Sequence, residues 1–193
     1  MRYQSRMRLL AVPVWEGKPL YRSYVIVPSS DTTTASIADL RGKIYAYSDP
    51  DSNSGWLVPQ AQLEQMGFDR STFFRKTFFT YAHRRVVDAV AAGVARGGSV
   101  DGYVWETLQK LHPELTRKTR VAHRSAEFGF PPIVARSNLS DEKYRGLQDV
   151  LLQMQGDPAG VALLRKLNLD GFQAGEPSLF DGIAQNMHRL GIA

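Results

Sequence analysis

The chain has 193 residues, of which 43% are hydrophobic and 22% charged, a composition typical of a folded globular protein. This length allows one good core or two smaller lobes, and no stretch approaches the roughly 20 apolar residues that a membrane-crossing helix needs. The absence of cysteine excludes disulfides and thiolate metal sites. A net charge of +5 favours an anionic partner without identifying it.

The basic residues occur in short clusters that acidic residues separate from one another. The clusters are Arg2, Arg6 and Arg8; Arg84 and Arg85; and Arg117, Lys118 and Arg120. No long basic stripe is visible, so nucleic-acid binding is the least favoured of the functional classes considered, and we expect no nucleic-acid partner.

In chain order, strands and helices are predicted to alternate through the middle of the chain. Runs of β-branched and aromatic residues predict strands over residues 21–27, 43–47, a segment ending near 80, 100–105, 119–123 and 133–135. Helical spacing of apolar residues predicts helices over about 55–66, 84–96 and 107–111, and from Ser140 onward, with Gly97-Gly98 ending the second of these. This alternation indicates a parallel or mixed sheet covered by helices.

The loop over residues 49–55, Asp-Pro-Asp-Ser-Asn-Ser-Gly, lies between a predicted strand and a predicted helix. The first N–H groups of a helix have no intrahelical acceptor and carry a partial positive charge, so an anion is favoured there. Ser52, Asn53 and Ser54 would add donors, and Gly55 would let a ligand approach the backbone. A helix N-cap preceded by a turn explains the same residues equally well.

Three further residues could reach a ligand at the same end of the sheet. His83 follows one predicted strand, and Tyr103 and Glu106 stand at the end of the next, where ligands collect in open α/β sheets. An imidazole there could donate to an anion, although a surface or helix-capping histidine fits the pattern as well. A carboxylate such as Glu106 facing an oxyanion would require a shared proton or an amine on the ligand.

Catalytic motifs are lacking. Ser54, His83 and an aspartate could form a nucleophilic triad, but there is no G-x-S-x-G elbow and no nucleotide-binding glycine motif. His112, His123 and His188 have no metal-ligand spacing, so neither a metal nor a cofactor is predicted. A binding protein is therefore favoured over an enzyme.

An ordered set of segments resembles the phosphate/phosphite/phosphonate-binding proteins of ABC transporters. The set covers roughly residues 20 to 190 and comprises residues 21–27, 39–43, 48–55, 73–74, 80–83, 100–105, 124–125 and 132–136. The resemblance implies that Ser52, Asn53, Ser54 and Gly55 hold a small oxyanion and that His83 assists them. Glu106 and Tyr21 are weaker matches to ligand-binding positions of the family.

The resemblance implies an α/β, periplasmic-binding-protein-like fold of type II. We expect residues 1–27 to hold remnant strands of lobe one and a hinge, and residues 28–127 to form a complete lobe with a mixed sheet flanked by helices. Residues 128–193 would return through the hinge to C-terminal helices of an incomplete lobe one. Two positions depart from the family: Pro131 stands where phosphonate binders carry an aspartate, and Asn53 where threonine is common.

The resemblance also implies a function, a location and partners. The chain would be the solute-binding component of an ABC transporter, with its membrane subunits as partners; a ligand-sensing domain of a signalling system and a Ser-dependent hydrolase are alternatives. Its location would be periplasmic, although no signal peptide is recognisable, so the chain expressed as written would be cytoplasmic. If lobe one is incomplete, the C-terminal apolar faces would be exposed and would cause self-association; they include Leu147, Val150, Leu151, Leu163, Leu164 and Leu167.

Overall fold

The computed structural model describes residues 6–192, so Arg2 of the first basic cluster lies outside the described residues. The chain forms two compact units. Unit 1 contains the described residues up to Tyr21 together with Glu127–Ala184, and unit 2 contains Arg22–Ala126 together with Gln185–Ile192. Among the described residues, no helix is both long and apolar enough to cross a membrane.

The regular elements alternate through the middle of the chain, as the sequence predicts. The strands are β1 (Met7–Val14), β2 (Leu20–Pro28), β3 (Ile44–Tyr47), β4 (Lys76–Phe79), β5 (Gly97–Asp101), β6 (Thr119–Gly129), β7 (Ile133–Arg136) and β8 (Gly171–Gln173). The helices are α1 (Val58–Gln65), α2 (His83–Ala91), α3 (Gly102–Leu111), α4 (Pro113–Thr116), α5 (Asp141–Gln153), α6 (Pro158–Leu167) and α7 (Asp181–Arg189).

Unit 2 is built on a mixed five-stranded sheet in the order β4-β3-β5-β2-β6. Strand β3 runs parallel to β4 and β5, and β2 runs antiparallel to β5. Alternate strand residues face two separate cores: Ile26 packs with Val86 and Val90 of α2, whereas Tyr45 packs with Leu63 of α1. Helices therefore cover both faces of the sheet, as expected for parallel strands.

The connections of unit 2 give its sheet two different ends. Helices α1 and α2 return the chain between parallel strands, so β3, β4 and β5 all finish at one end, here called the carboxyl edge. These three strands begin at the opposite end, the amino edge, where α1 and α2 also finish. Because β2 runs antiparallel to β5 and Ser29 N donates to Lys118 O, β2 ends and β6 begins at the amino edge as well.

Unit 1 contains a three-stranded antiparallel sheet in the order β7-β1-β8. Helix α5 contacts β1, with Gln148 Nε2 donating to Leu10 O over 2.7 Å. The buried core joins Ala11, Leu164 and Phe172. Helix α5 begins at the N-cap Ser140, as predicted, but the interpretation of everything after Ser140 as helical was wrong, because β8 pairs there with β1.

The predicted strand over residues 100–105 was also wrong. Strand β5 ends at Asp101, and helix α3 begins at Gly102, since the Asp101 side chain caps the helix by accepting from Val104 N over 3.3 Å. Gly97-Gly98, expected to end a helix, instead begins β5. A Cβ on Gly98 would lie 2.9 Å from Ala46 O and 2.5 Å from Val86 Cγ1, so this buried strand position requires glycine.

Most of the C-terminal apolar side chains predicted to be exposed are exposed. Leu147, Val150, Leu163 and Leu167 are between 48% and 65% accessible, and Leu151 is half-buried. The prediction was wrong for Leu164, which is 3% exposed because it fills the core of unit 1.

Candidate functional site

The loop over residues 49–55 joins β3 to a continuous helical segment at the carboxyl edge of unit 2. A tight turn forms first, in which Asp51 N donates to the Asp49 carboxylate (2.8 Å) and Ser52 N donates to Asp49 O (3.1 Å). A single π-helical turn, Asn53–Leu57, then leads into α1, and the N–H groups of Trp56 and Leu57 both donate to Ser52 O. The loop thus delivers the chain into a helix at the end of a strand, as predicted.

Ser52 and Ser54 fix the start of this helical segment in different ways. Ser52 is the N-cap, and its Oγ accepts from Gly55 N over 3.0 Å. Ser54 is 2% exposed, and its carbonyl accepts from the Ser23 hydroxyl of β2 over 2.6 Å. The loop is therefore held both within itself and to the sheet, which preorganises the first turn of the helix.

Gly55 has a structural role that differs from the predicted one. An added Cβ would lie 1.7 Å from Ser48 Oγ and 3.0 Å from Ser52 Oγ, so packing against Ser48 leaves room only for glycine. Ser48 is 1% exposed, and its Oγ has no hydrogen-bond partner among the described residues. The packing against Ser48 explains the glycine by itself, and the predicted approach of a ligand to its backbone stays a prediction.

His83 is the first residue of α2, at the same carboxyl edge. Its Nδ1 accepts from Asp101 N over 3.1 Å, which leaves Nε2 as the protonated, donating nitrogen of a neutral ring. Burial lowers the pKa of His83 to about 4, opposed by the nearby Asp49 carboxylate. The residue two before it, Tyr81, is 69% exposed with φ of 58°, a strained backbone conformation of the kind that accompanies functional sites.

Asp101 is the residue of this region that the sequence did not single out. It is 6% exposed, and burial raises the pKa of its carboxyl to about 7, opposed by hydrogen bonds from the N–H groups of Val104 and Tyr103. Its backbone N–H fixes the His83 ring. An aspartate followed by Gly-Tyr-Val at the end of a strand is an N-cap pattern, and this signal could have located it.

Tyr103 and Glu106 lie on helix α3 rather than at a strand end. The Glu106 carboxylate accepts from Tyr24 OH over 3.1 Å and lies 3.7 Å from Arg124 Nη2. The Arg124 guanidinium in turn stands 4.8 Å from the centre of the Tyr24 ring. Glu106 therefore already has partners within unit 2, while Tyr103 is half-buried in the first turn of α3.

Tyr21 lies in unit 1, whereas the other predicted ligand residues lie in unit 2. It is 3% exposed, and its ring centre stands 5.6 Å from that of Phe130. Within residues 6–192, no three histidine or acidic side chains converge in a way that could hold a metal ion.

The fold and the carboxyl-edge loop define a class of protein. Two solved structures share the fold with TM-scores of 0.84. One is a binding protein component of an ABC phosphonate transporter from Pseudomonas aeruginosa, 26% identical, which matches 96% of this chain and 63% of its own. The other is PhnD1 from Prochlorococcus marinus in complex with methylphosphonate, 19% identical, which matches 97% of this chain and 72% of its own. The chain has the fold of the type II periplasmic binding proteins.

Sequence comparison assigns the chain to one family among the proteins that share this fold. The model of the periplasmic substrate-binding proteins of phosphonate ABC transporters matches residues 1–180, so the chain belongs to that family. The phosphonates-binding periplasmic protein of Escherichia coli is 26% identical over 163 residues, or 82% of this chain. The match covers 48% of the Escherichia coli protein, so the chain spans about half the length of that relative.

Proposed function

We propose that this chain is a non-catalytic solute-binding component of an ABC-type transporter that works in the periplasm beside the transporter's membrane subunits. Its ligand is a small oxyanion, namely phosphate, phosphite or a phosphonate-like compound. Family membership supports the class of function, and the phosphonate ligands of relatives support the class of ligand. The part of the site proposed here consists of Ser52, Asn53, Ser54 and Gly55 with His83.

The observation that carries the proposal is the arrangement of neutral donors at one end of one sheet. The helical segment that starts at Asn53 presents the positive end of its dipole there, with the N–H groups of Gly55, Trp56 and Leu57 held by Ser52. His83 follows the neighbouring strand and keeps Nε2–H as its donor because Nδ1 is already engaged. Oxyanions are bound well by such fixed dipoles, which need no reorganisation when the charge arrives.

Glu106 and Tyr103 complete the proposed ligand residues of unit 2, and Tyr21 is a separate candidate in unit 1. The Glu106 carboxylate suits a protonated oxygen or an amine on the ligand, and its bond from Tyr24 fixes its orientation. Pro131, which is exposed, supplies no acid where the family's phosphonate binders have one. We therefore propose inorganic oxyanions as ligands as readily as phosphonates.

The geometry of His83 argues against the Ser-dependent hydrolase. In a catalytic triad the histidine donates Nδ1–H to a carboxylate, which raises the basicity of the other nitrogen. Here Nδ1 accepts from a backbone N–H, and burial lowers the pKa of the ring. Ser54→Ala would abolish ester turnover in a hydrolase, whereas we expect no turnover to lose. A sensing domain would bind the same ligands as a transport protein. The two roles differ in the partner that the ligand-bound chain recognises, which is a signalling protein in one case and the transporter's membrane subunits in the other.

The direct test is calorimetry of the chain against phosphate, phosphite, sulfate, alkylphosphonates and small phosphate esters. We expect saturable one-to-one binding of at least one phosphorus oxyanion and loss of that binding in Ser54→Ala. The matched control is Ser140→Ala, which removes an N-cap serine in unit 1. If no oxyanion binds while the chain unfolds cooperatively, the proposal fails.

The exposed apolar side chains of unit 1 support a subsidiary proposal, that the chain self-associates. Leu147 and Val150 on α5 lie beside Ile133 and Val134 of β7 around an apolar groove of about 460 Å³. Large exposed apolar patches are uncommon on monomers. A light-scattering mass equal to one chain at micromolar concentration would contradict this proposal.

A further inference from the structure

The amino edge of the unit 2 sheet gathers basic residues that lie far apart in the sequence. Each strand that begins there carries exposed bases at its first position or just before it. They are Lys43 at β3, Arg75 and Lys76 at β4, Arg96 at β5, and Arg117 and Lys118 at β6. The edge therefore brings together basic residues that extend in sequence from Lys43 to Lys118.

The backbone pairing places these positions side by side. Arg75 N donates to Lys43 O over 3.0 Å, Arg96 N donates to Ile44 O over 2.9 Å, and Ser29 N donates to Lys118 O over 2.8 Å. With strands spaced about 4.8 Å apart, five strands give an edge about 19 Å long. The bases therefore form a row across the starts of β4, β3 and β5, and those of β6 lie one strand further on, beyond the end of β2.

These bases are not neutralised within the described part of the chain. Over residues 6–192, none of the six forms an ion pair. Five acids lie on the same side: Glu64 pairs with Arg70, Asp31 pairs with Arg120, Glu114 lies 3.5 Å from His112, and Asp39 and Asp69 accept from N–H groups of their own loops. The six bases are therefore exposed and make no ion pair with these acids.

Apolar side chains protrude among the bases. Helices α1 and α2 end at this edge, and α3 ends where the chain turns towards β6. Three exposed apolar residues stand at or just beyond these ends: Met66 (47% exposed), Val94 (58%) and Leu111 (49%). Val94 lies two residues before Arg96. Bases interleaved with protruding apolar side chains are typical of surfaces that rest in a bilayer's headgroup region.

We propose that the amino edge of unit 2 is a docking surface for an anionic phospholipid membrane. Lysine and arginine attract the negative headgroups, while Met66, Val94 and Leu111 insert at the headgroup boundary. The carboxyl edge, with the oxyanion loop, then faces away from the lipid. This surface is separate from the proposed ligand site and does not depend on it.

The test uses the whole chain and vesicles of phosphatidylcholine, with and without phosphatidylglycerol. The edge variant is Lys43→Gln, Arg75→Gln, Lys76→Gln and Arg96→Gln combined. The control removes the same four charges from exposed positions of unit 1: Arg136→Gln, Arg145→Gln, Arg165→Gln and Lys166→Gln. Unchanged thermal midpoints show that both variants fold.

We expect the unaltered chain to bind mixed vesicles and not pure phosphatidylcholine, with binding that weakens as salt is raised. Each base near an anionic bilayer strengthens binding about fivefold, so the edge variant loses about a hundredfold or more. The control variant loses less than about tenfold because its charges stand away from the edge. Val94→Ser weakens vesicle binding about threefold, an effect that a purely electrostatic contact would not produce.

Three outcomes would overturn the proposal. The first is equal binding to neutral and anionic vesicles. The second is an equal loss of vesicle binding in the edge and control variants, which would show that binding depends only on the net charge of the chain. The third is binding of soluble polyglutamate without binding of anionic vesicles, which would assign the edge to an acidic protein partner.

Discussion

The two ends of the five-stranded sheet in unit 2 are chemically opposite. At the carboxyl edge, Ser54 and Asp101 are buried, Ser52 and His83 are half-buried, and hydrogen bonds hold these residues to the loop, the sheet or helix α3. At the amino edge, long basic side chains extend into solvent without ion pairs among the described residues. A fixed set of dipoles suits one small ligand, whereas a row of mobile charges suits an extended anionic surface.

The largest effect on stability and ligand binding is expected from replacing Gly55, because the substitution would displace the loop at the carboxyl edge. Gly55→Ala places a Cβ 1.7 Å from Ser48 Oγ, so the loop must shift. We expect a loss of about 1–3 kcal/mol of unfolding free energy, in the range for overpacking, and loss of measurable oxyanion binding. Denaturant unfolding and calorimetry measure the two effects.

Two variants serve as controls for this clash. Gly146→Ala, in α5 with nothing within 4 Å of the added Cβ, should stabilise the chain by about 0.5–1 kcal/mol. Ser48→Gly combined with Gly55→Ala removes the clashing side chain and should restore part of the lost stability and binding. A double variant no better than Gly55→Ala would show that Ser48 is not the obstacle.

The next effect concerns pH, because His83 and Asp101 have pKa values shifted in opposite senses. Burial lowers the His83 pKa to about 4, so its contribution to stability is lost as pH falls from about 6.5 to 4. Burial raises the Asp101 pKa to about 7, so stability falls as pH rises from about 4 to 7. The two trends oppose each other over nearly the same window.

Single substitutions should separate the two opposing effects of pH on stability. In Asp101→Asn, the thermal midpoint should rise between pH 4 and 6.5, by an amount equivalent to at most about 3 kcal/mol. In His83→Gln, it should fall over the same window. Parallel pH profiles in the two variants would contradict the assignment of the shifts to these two groups.

A smaller effect is expected from the helix cap. Ser52→Ala removes the acceptor for Gly55 N and should cost about 1 kcal/mol of stability. Ser140→Ala removes the cap of α5, where Ser140 Oγ accepts from Lys143 N over 3.5 Å, and should cost less. Only Ser52→Ala should weaken oxyanion binding, about tenfold. Equal binding by both variants would show that the cap has no part in the site.

The smallest effect is expected on oxyanion affinity when bases of the amino edge are removed, and it tests whether the two edges act independently. Neutralising Lys43, Arg75, Lys76 and Arg96 together should change oxyanion affinity less than about twofold at physiological salt. The three strands that carry these four bases, β3, β4 and β5, are four or five residues long, about 15 Å, which exceeds the screening length of about 8 Å. Isothermal titration of the edge variant measures this, and a tenfold loss would mean that the row of bases acts on the ligand site.

The sequence predicted the local features of the carboxyl edge better than its packing. The Ser-Asn-Ser-Gly pattern placed a loop before a helix correctly, because capping depends on neighbours within three residues. The boundary at Asp101 was misread although its N-cap pattern is local, whereas the close packing of Gly55 on Ser48 depends on a contact that only the fold creates. The amino edge was missed altogether because each strand contributes only one or two of its bases.

The engaged Nδ1 of His83 has a consequence for the protons that accompany a ligand. Burial lowers the pKa of the imidazole to about 4, so near pH 7 the ring is neutral and far from the pH at which it would take up a proton as an oxyanion arrives. Asp101, whose pKa lies at about 7, is the nearby group able to do so, because an incoming anion raises the pKa of a neighbouring carboxyl. Binding heats measured in buffers of different ionisation enthalpy should therefore differ near neutrality, and the difference should vanish in Asp101→Asn.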